Sequence, residues 1–198
     1  LEVTNSAENS FDNYYVKFVS TNNNDEGVWK ETVAPDTIID FDASTLPHQL
    51  VRNANGSFTF DQVAWGNMVA GDTGSSPDPS FIGARINDIF FHRNRLGFLS
   101  DEAVIMSRAG DFFEFYPETV TTILDTDPID ISVSHTKVAI LRFAIPFGEE
   151  LLLFSDQSQF VIAGKGILTA QNVTANVVTE YESSLSVAPV GAGRNVYF

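Results

Sequence analysis

FFHRNRLGFLSDEAVIMSRAGDFFEFYP, residues 90–117, is the stretch of sequence that decides the fold. Short runs of apolar residues alternate here with turn residues, a spacing typical of short antiparallel strands. No window of ten or more residues in the chain keeps a helical apolar stripe between capping residues. Turns are predicted at Asp101-Glu102 and Gly110-Asp111. The predicted strands lie around Phe90 and at residues 96–99, 104–107 and 112–116.

The same pattern returns 55 residues later, where LLLFSD (151–156) matches LGFLSD (96–101). In each copy a short turn, an apolar strand and a glycine follow. A third copy is predicted to begin at NVYF (195–198). Repeats of about 40 to 50 residues with four short strands each are typical of β-propeller blades. Chance similarity between strand-turn-strand segments is the alternative, and the residues alone leave both open.

The residues on either side of these copies also predict strands. Before them, YYVKFV (14–19) and VWKETV (28–33) form one predicted hairpin. HQLVRN and SFTFDQV form another, joined by Asn55-Gly56. AGDTGSSPDPS (70–80) predicts a linker or long loop. We therefore expect an all-β chain of short antiparallel strands, with a β-rich hairpin region at 1–80 and a second region of repeated strands at 81–198. VAILRFA (138–144) is one of the further predicted strands.

The net charge and the absence of cysteine limit the functions that this chain can have. Asp and Glu number 26 against 11 Lys and Arg, giving a formal net charge of −15. Such a chain repels DNA phosphates and offers little for direct nucleic-acid binding. The acids indicate either an ordinary solvated surface or one that DNA passes without sticking. The chain has no cysteine, which excludes disulfides, thiolate metal sites and cysteine nucleophiles.

The two ends of the chain predict an internal fragment of a longer protein. LEVTNSAENS (1–10) has no initiator methionine and no basic region followed by an apolar stretch, as a signal peptide would have. The last residues read as an apolar strand that needs a partner. No run reaches the roughly 18 apolar residues of a membrane helix.

Candidate reactive groups are sparse. His48, His92 and His135 share no metal-ligand spacing, and we expect no catalytic or cofactor site. Asp125, Asp127 and Asp130 are weak calcium candidates. Their loop lacks the glycine and terminal glutamate of an EF-hand, and a proline-directed turn is the alternative.

Two further groups of charged residues can be weighed. Adjacent strand residues point to opposite faces, so Glu149 and Glu150 do not both line one cleft, as the acid pair of a glycosidase must, unless a bulge intervenes. A pair drawn from distant acids stays an alternative. Arg93, Arg95 and Arg108 form the one basic concentration in the sequence. Strand alternation places Arg93 and Arg95 on one face. We expect all three to pair with carboxylates within or between subunits.

Several long segments resemble, in the same order, the tail tubular protein B (nozzle) family of short-tailed, podovirus-type phages. The resemblance covers nearly the whole chain. The segments are YYVKF (14–18), VWKET (28–32), LPHQLVR (46–52), DPSFIG (78–83), INDIFFHRNRLGFLSDEAVIMSRAGDFFEFYP (86–117), DTDPIDISVS (125–134), EELLLFSDQSQFVIAG (149–164) and GAGRNVYF (191–198).

This resemblance implies a non-enzymatic structural protein of the virion tail, made in the host cytoplasm. The full-length protein would form a hexameric nozzle that contacts the tail adaptor and the tail fibres. The genome would leave through its channel without specific binding. The resemblance also implies that residues 81–198 form blades of a β-propeller-like domain, an incomplete set truncated at the C-terminus. It implies no cofactor and no membrane anchor. A virion-associated glycan hydrolase and a carbohydrate-binding module, the latter favoured by aromatic-rich β-structure, are the alternatives.

Overall fold

The computed structural model describes residues 1–4, 13–22, 26–164 and 166–198. All regular structure in these residues is β, which confirms the predicted fold class. In the same residues, no helix has the length and hydrophobicity that crossing a membrane requires. The chain divides into two compact units, Leu1–Pro77 with Tyr116–Thr121, and Asp78–Phe115 with Thr122–Phe198. The domain boundary expected at residue 80 stays a prediction.

Unit 1 contains a three-stranded sheet and a separate hairpin, both antiparallel. The sheet has the order β1-β2-β3, and the hairpin pairs β4 with β5. Asn55-Gly56 lies in the loop between Arg52 and Phe58, where Gly56 takes a positive φ of 86°. The strands are β1 (Glu2–Val3), β2 (Tyr14–Ser20), β3 (Gly27–Thr32), β4 (His48–Arg52) and β5 (Phe58–Gln62).

Residues 116–121 belong to unit 1 although they follow a stretch of unit 2 in sequence. Glu31 on β3 fixes them, since its carboxylate accepts hydrogen bonds from the Val120 amide at 2.8 Å and the Thr119 hydroxyl at 2.5 Å. The Tyr116 ring stacks on Phe41 with ring centres 5.0 Å apart. One carboxylate and one aromatic pair thus hold this segment in unit 1.

Unit 2 is built from two four-stranded meanders followed by a hairpin. Sheet 1 has the order β6-β7-β8-β9, sheet 2 has the order β10-β11-β12-β13, and β14 pairs with β15. Sheet 1 consists of β6 (Ile86–His92), β7 (Arg95–Ser100), β8 (Ala103–Met106) and β9 (Ile129–Ser132). Sheet 2 consists of β10 (Phe143–Phe147), β11 (Glu150–Phe154), β12 (Gln159–Ala163) and β13 (Thr174–Thr179). The hairpin consists of β14 (Val190–Ala192) and β15 (Asn195–Tyr197).

The first two strands of each sheet, and of the final hairpin, are joined by a two-residue turn. The turns are Arg93-Asn94, Gly148-Glu149 and Gly193-Arg194. Arg93 and Asn94 both have positive φ (46° and 60°), as a type I′ turn requires, and each glycine has a φ of 63°. LGFLSD and LLLFSD both begin within the second strand of their sheet and continue past its end. The predicted repeat therefore corresponds to equivalent strands.

Sheets 1 and 2 share one hydrophobic core. Residues paired across strands lie on the same face of a sheet, so register shows which face each sheet contributes. Sheet 1 contributes Phe90, Leu99, Val104, Met106 and Ile129, and sheet 2 contributes Leu151, Leu153, Phe160 and Ile162. The first strands are also neighbours, with β6 beside β10 and β10 beside β14.

Two predicted strands are wrong. Residues 112–116 form turns and irregular backbone, and residues 138–142 form an irregular segment that ends where β10 begins. In both stretches the apolar side chains pack against neighbouring side chains, while the backbone forms no strand ladder. Phe115 stacks on Phe98 with ring centres 5.2 Å apart, and Leu141 is fully buried in the shared core.

Candidate functional site

The three arginines singled out from the sequence occupy different local structures in unit 2. Arg93 lies in the turn between β6 and β7, Arg95 is the first residue of β7, and Arg108 follows β8. Because Arg93 is in a turn, strand alternation does not apply to it. Both guanidinium groups nevertheless contact the loop after β12. That of Arg93 donates to the Gly166 carbonyl, and that of Arg95 donates to the Leu168 carbonyl.

Arg95 is the largest fully buried side chain, with 1% of its surface exposed. Its guanidinium donates to backbone carbonyls from three separate segments. Nη1 donates to the oxygens of Ser107 at 2.7 Å, Asp127 at 2.6 Å and Thr126 at 3.3 Å. Nη2 donates to the oxygens of Asp125 at 2.9 Å and Leu168 at 3.4 Å. The planar fork of arginine suits such a cradle of carbonyls.

Burial sets the electrostatics of this carbonyl cradle. Loss of hydration lowers the pKa of Arg95 from its ordinary value, and the charge of Asp127 acts in the opposite direction. Arginine still keeps its proton in proteins. The partial negative charges of the carbonyl oxygens therefore stabilise a buried cation.

Arg93 links the turn of sheet 1 to the corresponding turn of sheet 2. Its Nε donates to the Glu149 carbonyl at 3.0 Å, and its Nη1 donates to the Gly166 carbonyl at 2.6 Å. Nη2 also lies 3.7 Å from a Glu149 carboxylate oxygen, but that side chain is 95% exposed. Water screens such an exposed ion pair, so the two carbonyl bonds are the stronger part of the link.

Arg108 closes a tight loop through its backbone. It forms an isolated antiparallel bridge with Asp111, and its amide donates to the Glu114 carbonyl at 2.9 Å. Gly110, between the bridged residues, has a φ of 87°, which suits glycine. The interaction role expected for all three arginines stays a prediction.

The three aspartates considered for calcium point to different partners. Asp127 is buried and accepts a hydrogen bond from the Leu124 amide at 2.7 Å, whereas Asp130 accepts one from the Ser80 amide at 2.7 Å. Asp125 is exposed. In the part of the chain that the structure describes, no three His, Cys, Asp or Glu side chains are grouped to hold a metal ion. The nearby backbone carbonyls face the Arg95 guanidinium instead.

The histidines are dispersed. His48 stacks on Phe60 in unit 1, and His135 lies 3.6 Å from a Glu180 carboxylate oxygen in unit 2. His92 is 5% exposed at the end of β6. Burial, and secondly the charge of Arg93, lower its pKa from the ordinary value. This environment therefore favours the neutral form of His92.

Sequence reasoning missed a polar link between the first strands of the two sheets. Asp88 on β6 accepts a hydrogen bond from the Ala144 amide on β10 at 2.8 Å. Asn87 donates to the Leu141 carbonyl at 3.0 Å and accepts a bond from Arg142 at 3.3 Å. The detectable signal was two adjacent polar residues inside the apolar strand INDIFF (86–91).

The fold and these contacts define an all-β protein, in which buried polar groups hold strands and loops together. Comparison with known proteins identifies its family. A sequence model described as bacteriophage nozzle protein matches residues 1–198. The chain is also 43% identical to tail tubular protein gp12 of Escherichia phage T7, over 198 residues that make up 100% of this chain and 24% of that protein.

The chain therefore belongs to the bacteriophage nozzle protein family. It spans about a quarter of the length of the curated relative that it matches. Membership of this family places the chain among the structural proteins of the phage tail.

Proposed function

We propose that this chain is part of a nozzle at the end of a short phage tail, through which the genome is ejected. The observation that carries the proposal is the 43% identity with a tail tubular protein along the whole chain. The full-length protein would assemble as a hexamer on the tail adaptor and contact the tail fibres.

Within that nozzle, unit 2 would contribute blades to a propeller-like domain. Four-stranded antiparallel meanders are the blade units of a propeller, and unit 2 contains two consecutive ones. The neighbouring first strands, β6 beside β10 and β10 beside β14, support a radial arrangement in which first strands line the centre. The β14–β15 hairpin would then be the first half of a third blade.

The charge of the chain supports passage of DNA without binding. A protein holds DNA chiefly by placing Lys and Arg against phosphates. This chain carries 26 acidic and 11 basic residues, and Arg93 and Arg95 donate to its own backbone carbonyls. A surface of this charge repels the phosphate backbone, so a moving genome would not adhere to it.

The β4–β5 hairpin of unit 1 supports contacts with other tail proteins. Leu50, Phe58 and Phe60 are 65%, 61% and 70% exposed. Cross-strand register pairs Leu50 with Phe60 and Arg52 with Phe58, which places the three apolar side chains on one face. Exposed apolar surface of this kind marks protein interaction sites. We propose that the adaptor, the fibres or a neighbouring subunit covers it.

Negative-stain imaging of the full-length protein mixed with its adaptor tests the proposal. We expect sixfold rings with a central channel, attached to the adaptor. Single particles that never join the adaptor would overturn the assembly role. A parallel electrophoretic shift assay with double-stranded DNA at about 0.15 M salt should show no binding, and tight binding would overturn passage without adhesion.

A further inference from the structure

A cavity of about 560 Å³ lies at one end of sheet 1, where β7 turns back into β8. Ser100, Ala103 and Ser132 are paired in one row across β7, β8 and β9, so their side chains lie on the same face. All three line the cavity, together with Ser80 and the turn residues at 101–102. We call it the serine cavity. Its volume suits a small organic ligand, since such sites typically measure about 300 to 1,000 Å³.

The repeat shows that Ser100 differs from its counterpart in sheet 2. Ser100 and Ser155 hold the same place in LGFLSD (96–101) and LLLFSD (151–156), and each is 1% exposed. The Ser155 hydroxyl is satisfied within its own turn, because it donates to the Ser158 carbonyl at 2.9 Å and accepts from the Ser158 amide at 3.0 Å. Among the described residues, the Ser100 hydroxyl has no hydrogen-bond partner. An unpaired buried hydroxyl is unfavourable, so the serine cavity presents a group that a ligand would satisfy.

Two carboxylates give the serine cavity its charge. Asp101 and Glu102 form the turn between β7 and β8, and both line the cavity. Their backbone carbonyls accept hydrogen bonds from the Leu141 and Val133 amides, at 2.8 Å and 2.9 Å. The Glu102 side chain uses one oxygen, Oε1, to accept from the Ala139 amide at 2.8 Å, which leaves Oε2 for another donor. Among the described residues that line the cavity none is basic, so an entering ligand meets negative charge.

The lining of the serine cavity favours one class of ligand over the others. The carboxylates repel anions, and a purely apolar ligand would leave the Ser100 hydroxyl unpaired. A metal ion is disfavoured because, in the part of the chain that the structure describes, no three His, Cys, Asp or Glu side chains are grouped to bind one. A neutral polyol would make weaker bonds to the carboxylates, because it lacks a charge. A primary ammonium carries one positive charge and three N–H donors, and the apolar side chains of Val138 and Ile140, which also line the cavity, suit the aliphatic chain behind it.

We propose that the serine cavity binds a primary alkylammonium group, with the carboxylates of Asp101 and Glu102 and the hydroxyl of Ser100 as its acceptors. Two sources supply this chemistry. One is a free aliphatic di- or polyamine, a kind of cation that accompanies DNA, whose phosphates keep a layer of exchangeable counterions. The other is a lysine side chain from another part of the tail. The inference goes beyond the proposed nozzle function and does not depend on the number of subunits.

Calorimetric titration of the full-length protein with 1,4-diaminobutane tests the first source. The matched ligand control is 1,4-butanediol, which has the same carbon chain but hydroxyl groups in place of the ammonium groups. We expect the diamine to bind about tenfold more tightly than the diol, since charge-assisted hydrogen bonds are roughly twice as strong as neutral ones. Raising the salt concentration from about 0.05 to 0.5 M should weaken binding of the diamine and leave that of the diol unchanged.

Substitutions at the lining residues test the acceptors while keeping the shape of the site. Asp101 has a φ of 49°, a conformation that asparagine also adopts, and Glu102→Gln keeps an acceptor for the Ala139 amide. Asp101→Asn and Glu102→Gln should each weaken diamine binding about tenfold. Ser100→Ala should weaken it about threefold without lowering the urea midpoint, because among the described residues the hydroxyl has no partner to lose. Asp156→Asn is the matched control, because it makes the same change of charge at the equivalent turn of sheet 2 and should leave binding unaltered.

Carbodiimide cross-linking of intact tails tests the second source. The reagent activates a carboxylate, and an amine in contact with that carboxylate displaces the activated group to form an amide. A lysine in the serine cavity would therefore be joined to Asp101 or Glu102, and mass spectrometry would identify the joined peptides. A lysine of the same protein would also prevent the free diamine from binding. Asp156 is the internal control, since it should give no comparable product.

Three results would overturn the inference. Equal binding of the diamine and the diol would assign the cavity to a neutral hydroxylated ligand such as a sugar. Equal losses in Asp101→Asn and Asp156→Asn would show a general response to net charge. Neither diamine binding nor a lysine cross-link would mean that the cavity holds water alone. Sixfold rings attached to the adaptor, together with any of these results, would leave the nozzle function standing and reject only the ammonium site.

Discussion

Replacing Arg95 with methionine would remove the buried guanidinium while keeping a side chain of similar length. Three of its bonds, to the carbonyls of Ser107, Asp125 and Asp127, are 2.6 to 2.9 Å long. Hydrogen bonds from a charged donor contribute about 1.5 to 3 kcal/mol each. Their gross loss is therefore roughly 5 to 9 kcal/mol.

Removal of the charge also relieves the cost of burying it, which is several kcal/mol for a guanidinium at 1% exposure. The carbonyl oxygens then stay buried without a donor. We expect a net loss of about 3 to 5 kcal/mol, the range typical when one member of a buried charged contact is removed. Arg95→Lys should lose less stability than Arg95→Met, because an ammonium keeps the charge, but it should still lose some because it reaches fewer of the carbonyls.

Native-state hydrogen exchange with mass spectrometry measures this loss locally. Both tryptophans, Trp29 and Trp65, belong to unit 1, so tryptophan fluorescence does not report directly on unit 2. Amides of β7, β8 and β9 should exchange about 10²- to 10⁴-fold faster in Arg95→Met, since each 1.4 kcal/mol is a factor of ten. Peptides from β2 and β3, which contain no partner of Arg95, give the internal reference.

Arg93→Met is the matched control, because it removes an arginine from the same hairpin. Its ion pair with Glu149 is exposed and its two carbonyl bonds lie near the surface, so we expect a loss of about 1 kcal/mol. Equal small effects of the Arg95 and Arg93 substitutions would refute the reasoning. They would show that the carbonyl cradle does not stabilise sheet 1.

Three further predictions concern separate parts of the chain. The lowered pKa of His92 means that the unfolded chain binds a proton near pH 6.5 that the folded chain does not bind until lower pH. Stability should therefore fall as pH drops below about 6.5. In His92→Gln the urea midpoint should change less between pH 8 and pH 5.5 than in the unsubstituted protein, and an equal change in both would contradict this. Gly97→Ala would place a Cβ 2.2 Å from the ring of Phe90 and should cost about 1 to 3 kcal/mol in urea unfolding. Gly191→Ala, whose nearest neighbour is 3.9 Å away, should cost less than half of that, and equal losses would contradict the packing argument. Phe60→Ser, at a side chain that is 70% exposed and stacked on His48, should lower the urea midpoint only slightly but reduce incorporation into tails at least tenfold. Normal incorporation would remove this hairpin from the proposed interfaces.

Most strands of unit 2 could be predicted from the sequence, because they depend on residues close together in the chain. Apolar alternation and turn residues within LGFLSD and LLLFSD (96–101 and 151–156) are enough to predict two equivalent strands. FFEFY (112–116) is richer in aromatic residues than either, yet it forms no ladder. The difference is the contact of Phe115 with Phe98, 17 residues earlier, and strand propensity does not report such packing.

The candidate site was less predictable, since its contacts join distant segments. Arg95 has the sequence context of a surface cation, beside other polar residues at a turn. Its partners lie as far away as Leu168, and they are backbone carbonyls, which every residue type supplies. Asp125 and Asp127 are calcium candidates by their carboxylates, whereas it is their backbone oxygens that accept hydrogen bonds from Arg95.

The buried arginine also changes what the net charge means for the surface. Among the described residues, Arg95 is the one buried guanidinium and Asp127 the one buried carboxylate. Arg93 donates a hydrogen bond to Gly166, and Arg142 donates one to Asn87, both within unit 2. Several of the 11 basic residues are thus directed at internal oxygens, while nearly all described acids keep contact with water. The potential outside the chain is therefore set by carboxylates. Tight binding of DNA needs several free cations placed together against phosphates, and the same contacts that stabilise the sheets of unit 2 withdraw cations from that role.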